Sequence, residues 1–237
     1  MRDYVISPPT QPAIPVVGGG WFPVRRIFCI GQNYLADVKE LIGDHVKETE
    51  DEAKKAIPVV FTKPADSICL GGNIPLPLST DNLHYEGELV VAMKSGGTNL
   101  SPSAAEEMIY GFAVGCDLTR RDLQEVAKEL SGPWDMAKAI DNGAVVGGVM
   151  PEKEFWALEE ARLMLSVNND VKQEEDLKAM IKPVWNIISD ISRYFEIKAG
   201  DLIFTGTPSG VGQLVPGDRV RIGINDLAPV EFWISEP

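Results

Sequence analysis

The sequence predicts an α+β fold with a mostly β core. Three observations carry this expectation. Short runs rich in β-branched and aromatic residues recur along the chain, few segments place apolar residues at helical steps of three and four, and Gly, Pro and Asp turns separate the runs. No internal repeat or composition break marks a linker, so strands and inserted helices are expected to share one core.

In chain order, residues 7–20 carry Pro8, Pro9, Pro12, Pro15 and Gly18 to Gly20. Proline fixes the backbone and removes amide donors, so residues 1–23 are expected to form an extended arm lying over a single domain of residues 24–237. Residues 24–30 read as a strand. From Tyr34 to about residue 55, Leu35, Val38, Leu41, Ile42 and Val46 follow amphipathic helical spacing. Residues 59–62, 88–93 and 112–117 read as strands, and residues 120–130 as a helix ended by Gly132 and Pro133. A strand follows at 161–167. A helix is expected from Pro183 to Phe195, with a stripe of Trp185, Ile188, Ile191 and Phe195. Residues 202–205, 219–224 and 230–234 close the chain as strands.

With 237 residues and 44% apolar content, the chain can bury a sizeable core. It has no apolar run of about 18 residues to cross a bilayer, and its start lacks the apolar stretch of a secretory signal, so the cytoplasm is the expected location. Cys29, Cys69 and Cys116 are widely spaced inside apolar runs and are expected to be reduced, buried thiols. A net charge of -13 argues against nucleic-acid binding, which needs clustered Lys and Arg. It does not exclude a small anion, because a bound cation and a few basic groups reverse the sign inside a cleft. Two histidines, His45 and His84, cannot build a three-histidine zinc site.

The segment with most chemistry is His84-Tyr85-Glu86-Gly87-Glu88-Leu89-Val90-Val91. If a strand begins at Glu86, side chains two apart share a face, which projects two carboxylates roughly 7 Å apart at the backbone. On this pattern alone a solvated strand edge fits as well as a cation site. Asp117, at the end of the apolar run 112–116, offers a third carboxylate. Three carboxylates describe a hard oxygen site suited to magnesium or manganese, with calcium also compatible.

Further segments show a family likeness running from about Val24 to Ile224. They are Gly31-Gln32-Asn33-Tyr34, Thr62-Lys63-Pro64-Ala65-Asp66, the Glu86 and Glu88 pair, and Asp117-Leu118-Thr119-Arg120-Arg121-Asp122-Leu123-Gln124. Lys138-Ala139-Ile140-Asp141 and the stretch from Gly200 to Gly212 complete the series. In these the chain resembles the fumarylacetoacetate hydrolase family, and within it the bacterial fumarylpyruvate and acylpyruvate hydrolases of aromatic degradation. The resemblance implies a mixed β-roll, a homodimer, and a magnesium ion held by Glu86, Glu88 and Asp117. It implies cleavage of a carbon–carbon bond between two carbonyls of a small anionic 2-oxo acid, with the metal stabilising the enolate released. Lys138, on a segment that reads as a strand or its end, would place positive charge beside that enolate and return a proton. Gln124 would orient water or a substrate oxygen. Arg121 would support a carboxylate, and Thr205, Gly206 and Thr207 would meet the substrate carboxylate. Without the family match, Lys138 reads as a surface lysine, Arg121 as a surface ion pair and the 206–212 loop as a tight turn. That loop lacks the Gly-Lys-Ser/Thr ending of a phosphate-binding loop.

The sequence also departs from the family. Members carry Arg where Gln32 stands, and a His–Glu dyad that activates water, where this chain has Asp37 and Glu40. Asp, with an ordinary pKa of about 3.9 against about 6.5 for His, is a much weaker base. His45 lies about two helical turns beyond Asp37. Three readings therefore compete: a metal-dependent hydrolase of acylpyruvates, an oxaloacetate decarboxylase or keto–enol tautomerase that needs no activated water, and a noncatalytic binding protein. Lys138 and Gln124 argue against the third.

Overall fold

The computed structural model describes residues 3–34, 57–155 and 158–237. Of the helix expected from residue 34 to about 55, only Tyr34 is described, in a β-bridge with Met180, and the rest lies outside the described residues, as do Asp37, Glu40 and His45. Among the described residues, no helix is long and apolar enough to cross a membrane.

The fold is mostly β, built on two mixed sheets. Among the described residues the larger has eight strands: a path of seven runs from Val59–Lys63 through Arg26–Gly31, Asp201–Phe204, Gly87–Met93, Ile109–Asp117 and Ala144–Val146 to Ile68–Cys69, and Met150–Pro151 pairs with Ile109–Asp117 beside it. Asp201–Phe204 runs parallel to Arg26–Gly31, whereas Gly87–Met93 and Ile109–Asp117 are antiparallel, with Gly87 opposite Cys116. Among the described residues the smaller sheet has five strands, in the order Asp170–Asp176, Arg162–Val167, Arg219–Ile224, Val230–Ser235, Gly72–Pro75.

Strand alternation assigns the core. In Gly87–Met93 every residue is buried, so both faces are covered. Leu89, Val91 and Met93 join Leu163, Leu165, Ile222 and Ile224 in the core between the two sheets. Val90 and Ala92 face the other way and pack with Ile27, Cys29, Phe204, Ile14 and Phe22. The last two come from the N-terminal stretch, where Ala13–Pro15 pairs with Trp21–Pro23 around a turn of positive-φ Gly18, Gly19 and Gly20.

Several expectations shift. The helix near residue 183 spans Val184–Ser192 and buries Val184, Ile187, Ile188 and Ile191, while Trp185 is half-buried at its rim and Phe195 is 39% exposed beyond its end. Ile188 and Ile191 of the expected stripe are buried as expected, while Val184 and Ile187 take the places at the core that Trp185 and Phe195 were expected to fill. Lys138 ends a four-residue helix, Asp135–Lys138, instead of a strand. The edge strand Asp170–Asp176 was not expected, because it is polar and charged, with Val171 as its one apolar residue.

Candidate metal centre and active site

Glu86 immediately precedes the strand Gly87–Met93, and Glu88 lies within it. Their spacing of two carries them to one face, and the adjacent antiparallel strand delivers Asp117 from its far end. The Asp117 amide donates to the Glu86 carbonyl at 2.8 Å, which fixes the two strand ends together. Ligand oxygens of all three carboxylates lie within 4.8 Å of one another, and all three residues are buried.

Two lysines face them. Lys138 Nζ donates to Glu86 Oε2 at 2.8 Å, Asp117 Oδ2 at 2.9 Å and Thr119 Oγ1 at 2.6 Å. Lys63, a buried side chain that sequence reasoning left without a role, donates to the carbonyls of Leu118 and Lys138, and its Nζ lies 2.7 Å from Asp117 Oδ1. That last contact is ionic and poorly directed: Asp117 Oδ1 is buried, and among the described residues no hydrogen-bond donor is aimed at it. A lysine closing the run Val59-Val60-Phe61-Thr62 was the available signal, since a charge at the end of a buried strand needs partners.

Among the described residues, three carboxyl groups face two lysine side chains in the buried cluster, so acidic groups outnumber basic ones by one. Burial, then the neighbouring Asp117 and Glu86, push the Glu88 carboxyl well above the usual carboxylate range, while the Gly206 amide and Lys138 pull it back. Burial disfavours the charged form of Lys138, but Asp117 and Glu86 outweigh it and raise its pKa, so the ammonium stays protonated. Buried hard oxygens, a carboxylate oxygen to which no described residue donates, and an excess of acidic over basic groups all fit a hard divalent cation.

The loop after strand Asp201–Phe204 supports this cluster from behind. The Gly206 amide donates to Glu88 Oε2 at 2.7 Å. At φ +98°, and with an added Cβ falling 2.9 Å from Asn33 Cβ, only glycine brings that amide close enough. Asn33 Nδ2 in turn donates to the Thr205 carbonyl at 2.9 Å. The Thr205 hydroxyl donates to the Leu89 carbonyl and that of Thr207 to the Gly87 carbonyl, so both protons are committed to the central strand. Of these loop residues, Thr207 lines the pocket over the carboxylates.

Glu86, Glu88, Gln124, Arg121 and Lys138 line that pocket together. Gln124 is buried on the helix Arg121–Glu129 and accepts from Arg121 Nη1 at 3.2 Å. A larger cavity beside Leu177, Met180 and Trp185 holds none of the carboxylate–lysine cluster. Burial raises the thiol pKa of Cys29 and Cys116, which leaves both as packing groups.

Comparison with known proteins agrees with this geometry. The family profile described as fumarylacetoacetate (FAA) hydrolase C-terminal matches residues 26–234. A fumarylpyruvate hydrolase of Ralstonia sp is 39% identical over 176 residues, covering 74% of this chain and 91% of the relative. The mitochondrial oxaloacetate tautomerase FAHD1 of Bos taurus is 33% identical over 218 residues, covering 92% and 95%. The crystal structure of fumarylpyruvate hydrolase from Pseudomonas aeruginosa in complex with Mn2+ and pyruvate superposes with a TM-score of 0.92 at 34% identity, covering 99% of this chain and all of that one. Fold, profile and relatives converge: this chain is an enzyme of the fumarylacetoacetate hydrolase family.

Proposed function

We propose that the protein is a metal-dependent hydrolase that cleaves the carbon–carbon bond between the carbonyls of an acylpyruvate, a 2,4-dioxo acid of the fumarylpyruvate kind. The observation that carries this reading is the buried trio of Glu86, Glu88 and Asp117, with ligand atoms within 4.8 Å, opening on a pocket lined by Lys138, Gln124 and Arg121. Magnesium is the proposed ion, and manganese or calcium suits the same oxygens. When bound, such an ion supplies Lewis-acid stabilisation of an enolate formed from the 2-oxo acid.

The chain's own groups divide the remaining work. Lys138, held protonated by Asp117 and Glu86, keeps positive charge where the enolate develops and carries the proton that carbon takes up. Gln124 offers an amide to orient water or a substrate oxygen. Arg121 offers a guanidinium to a substrate carboxylate, Thr207 shapes the wall beside it, and the Gly206 amide and Thr205 keep Glu88 in place. Asp37 and Glu40, on the segment before residue 57, stand where the family's water-activating dyad is expected. A homodimer accompanies this reading through the family resemblance.

One observation favours a second reading. Asp37 occupies the place of the family's His, and a relative 33% identical over 218 residues is an oxaloacetate tautomerase. Tautomerisation or decarboxylation of oxaloacetate needs a proton donor but no activated water. Incubating the magnesium-loaded protein with fumarylpyruvate, acetylpyruvate and oxaloacetate and identifying the products separates the two. Pyruvate plus a carboxylic acid supports hydrolysis, whereas carbon dioxide or an enol absorbance change from oxaloacetate alone supports the second.

A further inference from the structure

A single glycine separates the two glutamates of the carboxylate trio, so their relative placement depends on the residue type whose backbone is least restricted. The strand Gly87–Met93 pairs with Asp201–Phe204 only as far as Val90, which lies opposite Phe204. The Thr205 amide still bonds the Leu89 carbonyl, and the neighbouring chain then turns away at Gly206. Alternate residues of a strand direct their amide and carbonyl to the same side, so Gly87, two before Leu89, faces the place that this neighbour has left.

Side chains fill that place. The Gly87 amide donates to Gln173 Oε1 at 3.0 Å, Gln173 Nε2 donates to Thr207 Oγ1 at 2.8 Å, and the Thr207 hydroxyl donates to the Gly87 carbonyl at 2.8 Å. The result is a closed ring on both backbone groups of one buried residue. Gln173 Nε2 also donates to the Pro208 carbonyl at 2.7 Å. Gln173 is 1% exposed and projects from the smaller sheet, opposite Leu165. A Cβ on Gly87 would crowd Leu165 Cδ1 at 3.1 Å and Gln173 Oε1 at 3.2 Å, so glycine at this position admits the approach.

We propose that Gln173 is a positioning residue of the metal centre: it holds the Gly87 peptide, and with it the spread of the Glu86 and Glu88 carboxylates, so that the trio selects magnesium over calcium. Gln173 bonds to none of the three carboxylates and acts through Gly87 and Thr207. Magnesium demands near-ideal octahedral geometry at about 2.0–2.1 Å, whereas calcium accepts more oxygens in flexible geometry at about 2.3–2.6 Å. A spacing held fixed therefore disfavours the larger ion, and a loosened one tolerates it. The proposal rests on the metal assignment above.

The test is calorimetric titration of the full chain, first stripped with EDTA, with Mg2+ and with Ca2+ in wild type, Gln173→Met and Gln173→Glu. Met keeps the length of the side chain and removes its hydrogen bonds, whereas Glu keeps the acceptor for the Gly87 amide. Wild type should bind Mg2+ more tightly than Ca2+. Gln173→Met should weaken Mg2+ roughly ten- to a hundredfold, the scale for groups that orient metal ligands, and weaken Ca2+ much less. Gln173→Glu should retain more of the wild-type preference than Gln173→Met. Because the readout is a ratio within each variant, a smaller folded fraction cannot mimic it. A wild type that prefers Ca2+, or a ratio unchanged in Gln173→Met, overturns the proposal and leaves the metal assignment standing. Failure of both ions to bind wild type overturns both.

Discussion

Replacing Lys63 by Met tests the charge balance of the centre. The substitution keeps a stem of similar length and removes the ammonium. In the native structure the Lys63 side chain is fully buried, its Nζ 3.0 Å from the Leu118 carbonyl, bonded to the Lys138 carbonyl and 2.7 Å from Asp117 Oδ1. Its loss strands two carbonyls and part of a buried carboxylate. Breaking a buried pair from one side costs about 3–5 kcal/mol. At about 2–4 °C per kcal/mol for a chain of this size, the melting temperature in EDTA should fall by roughly 6–20 °C. A divalent cation acts in the opposite direction. With three carboxylates facing one lysine instead of two, saturating Mn2+ relieves more repulsion, so it should raise the melting temperature of Lys63→Met by more than that of wild type. Scanning calorimetry in EDTA and in excess MnCl2 measures both shifts. An unchanged metal-free melting temperature, or a smaller metal-induced rise in the variant, would refute the reasoning.

Other consequences are as direct. Ala at Glu86, Glu88 or Asp117 should each abolish tight Mg2+ or Mn2+ binding in a calorimetric titration; unchanged affinity in all three variants removes the basis of the metal assignment. Lys138→Met should lower turnover on the order of a hundredfold or more while the metal stays bound, because a cation beside the enolate matters most as charge develops. Asp37→His should raise acylpyruvate hydrolysis and leave oxaloacetate chemistry little changed; a wild type that already turns over at roughly 1 per second or more, with no gain in the variant, defeats the idea. Asp122 is partly desolvated, which works against its charged form, but the Thr80 hydroxyl and the amides of Leu123 and Asp81 outweigh this and hold its carboxyl below the ordinary value of 3.8. A depressed folded pKa stabilises above the unfolded value and is lost as pH falls through the folded one. Asp122→Ala should therefore melt lower than wild type at pH 7, and the gap should close below about pH 4; a constant gap from pH 7 to pH 3 would assign the loss to packing.

The sequence by itself determined what is local. Period-two alternation put Glu86 and Glu88 on one face, and the apolar run of residues 112–116 delivered Asp117 to a strand end, so the carboxylate trio was legible before any fold was known. The strong strands near residues 26, 59, 87, 109, 201, 219 and 230 were legible for the same reason. What depends on pairing was not. Asp170–Asp176 reads as polar and charged, yet its Gln173 is buried and accepts from the Gly87 amide at 3.0 Å, because an edge strand needs only one inward side chain. Asp135–Lys138 is too short for a helical period to show.

Only the tertiary structure decided that Lys63 and Lys138, 75 positions apart, converge on the carboxylates, and that Gly206 aims its amide at Glu88 across 118 positions. Those contacts follow from strand register, which the alternation of single strands constrains but does not choose. Residue type told which atoms bind a hard cation, and the register of the central sheet decided which charges balance them.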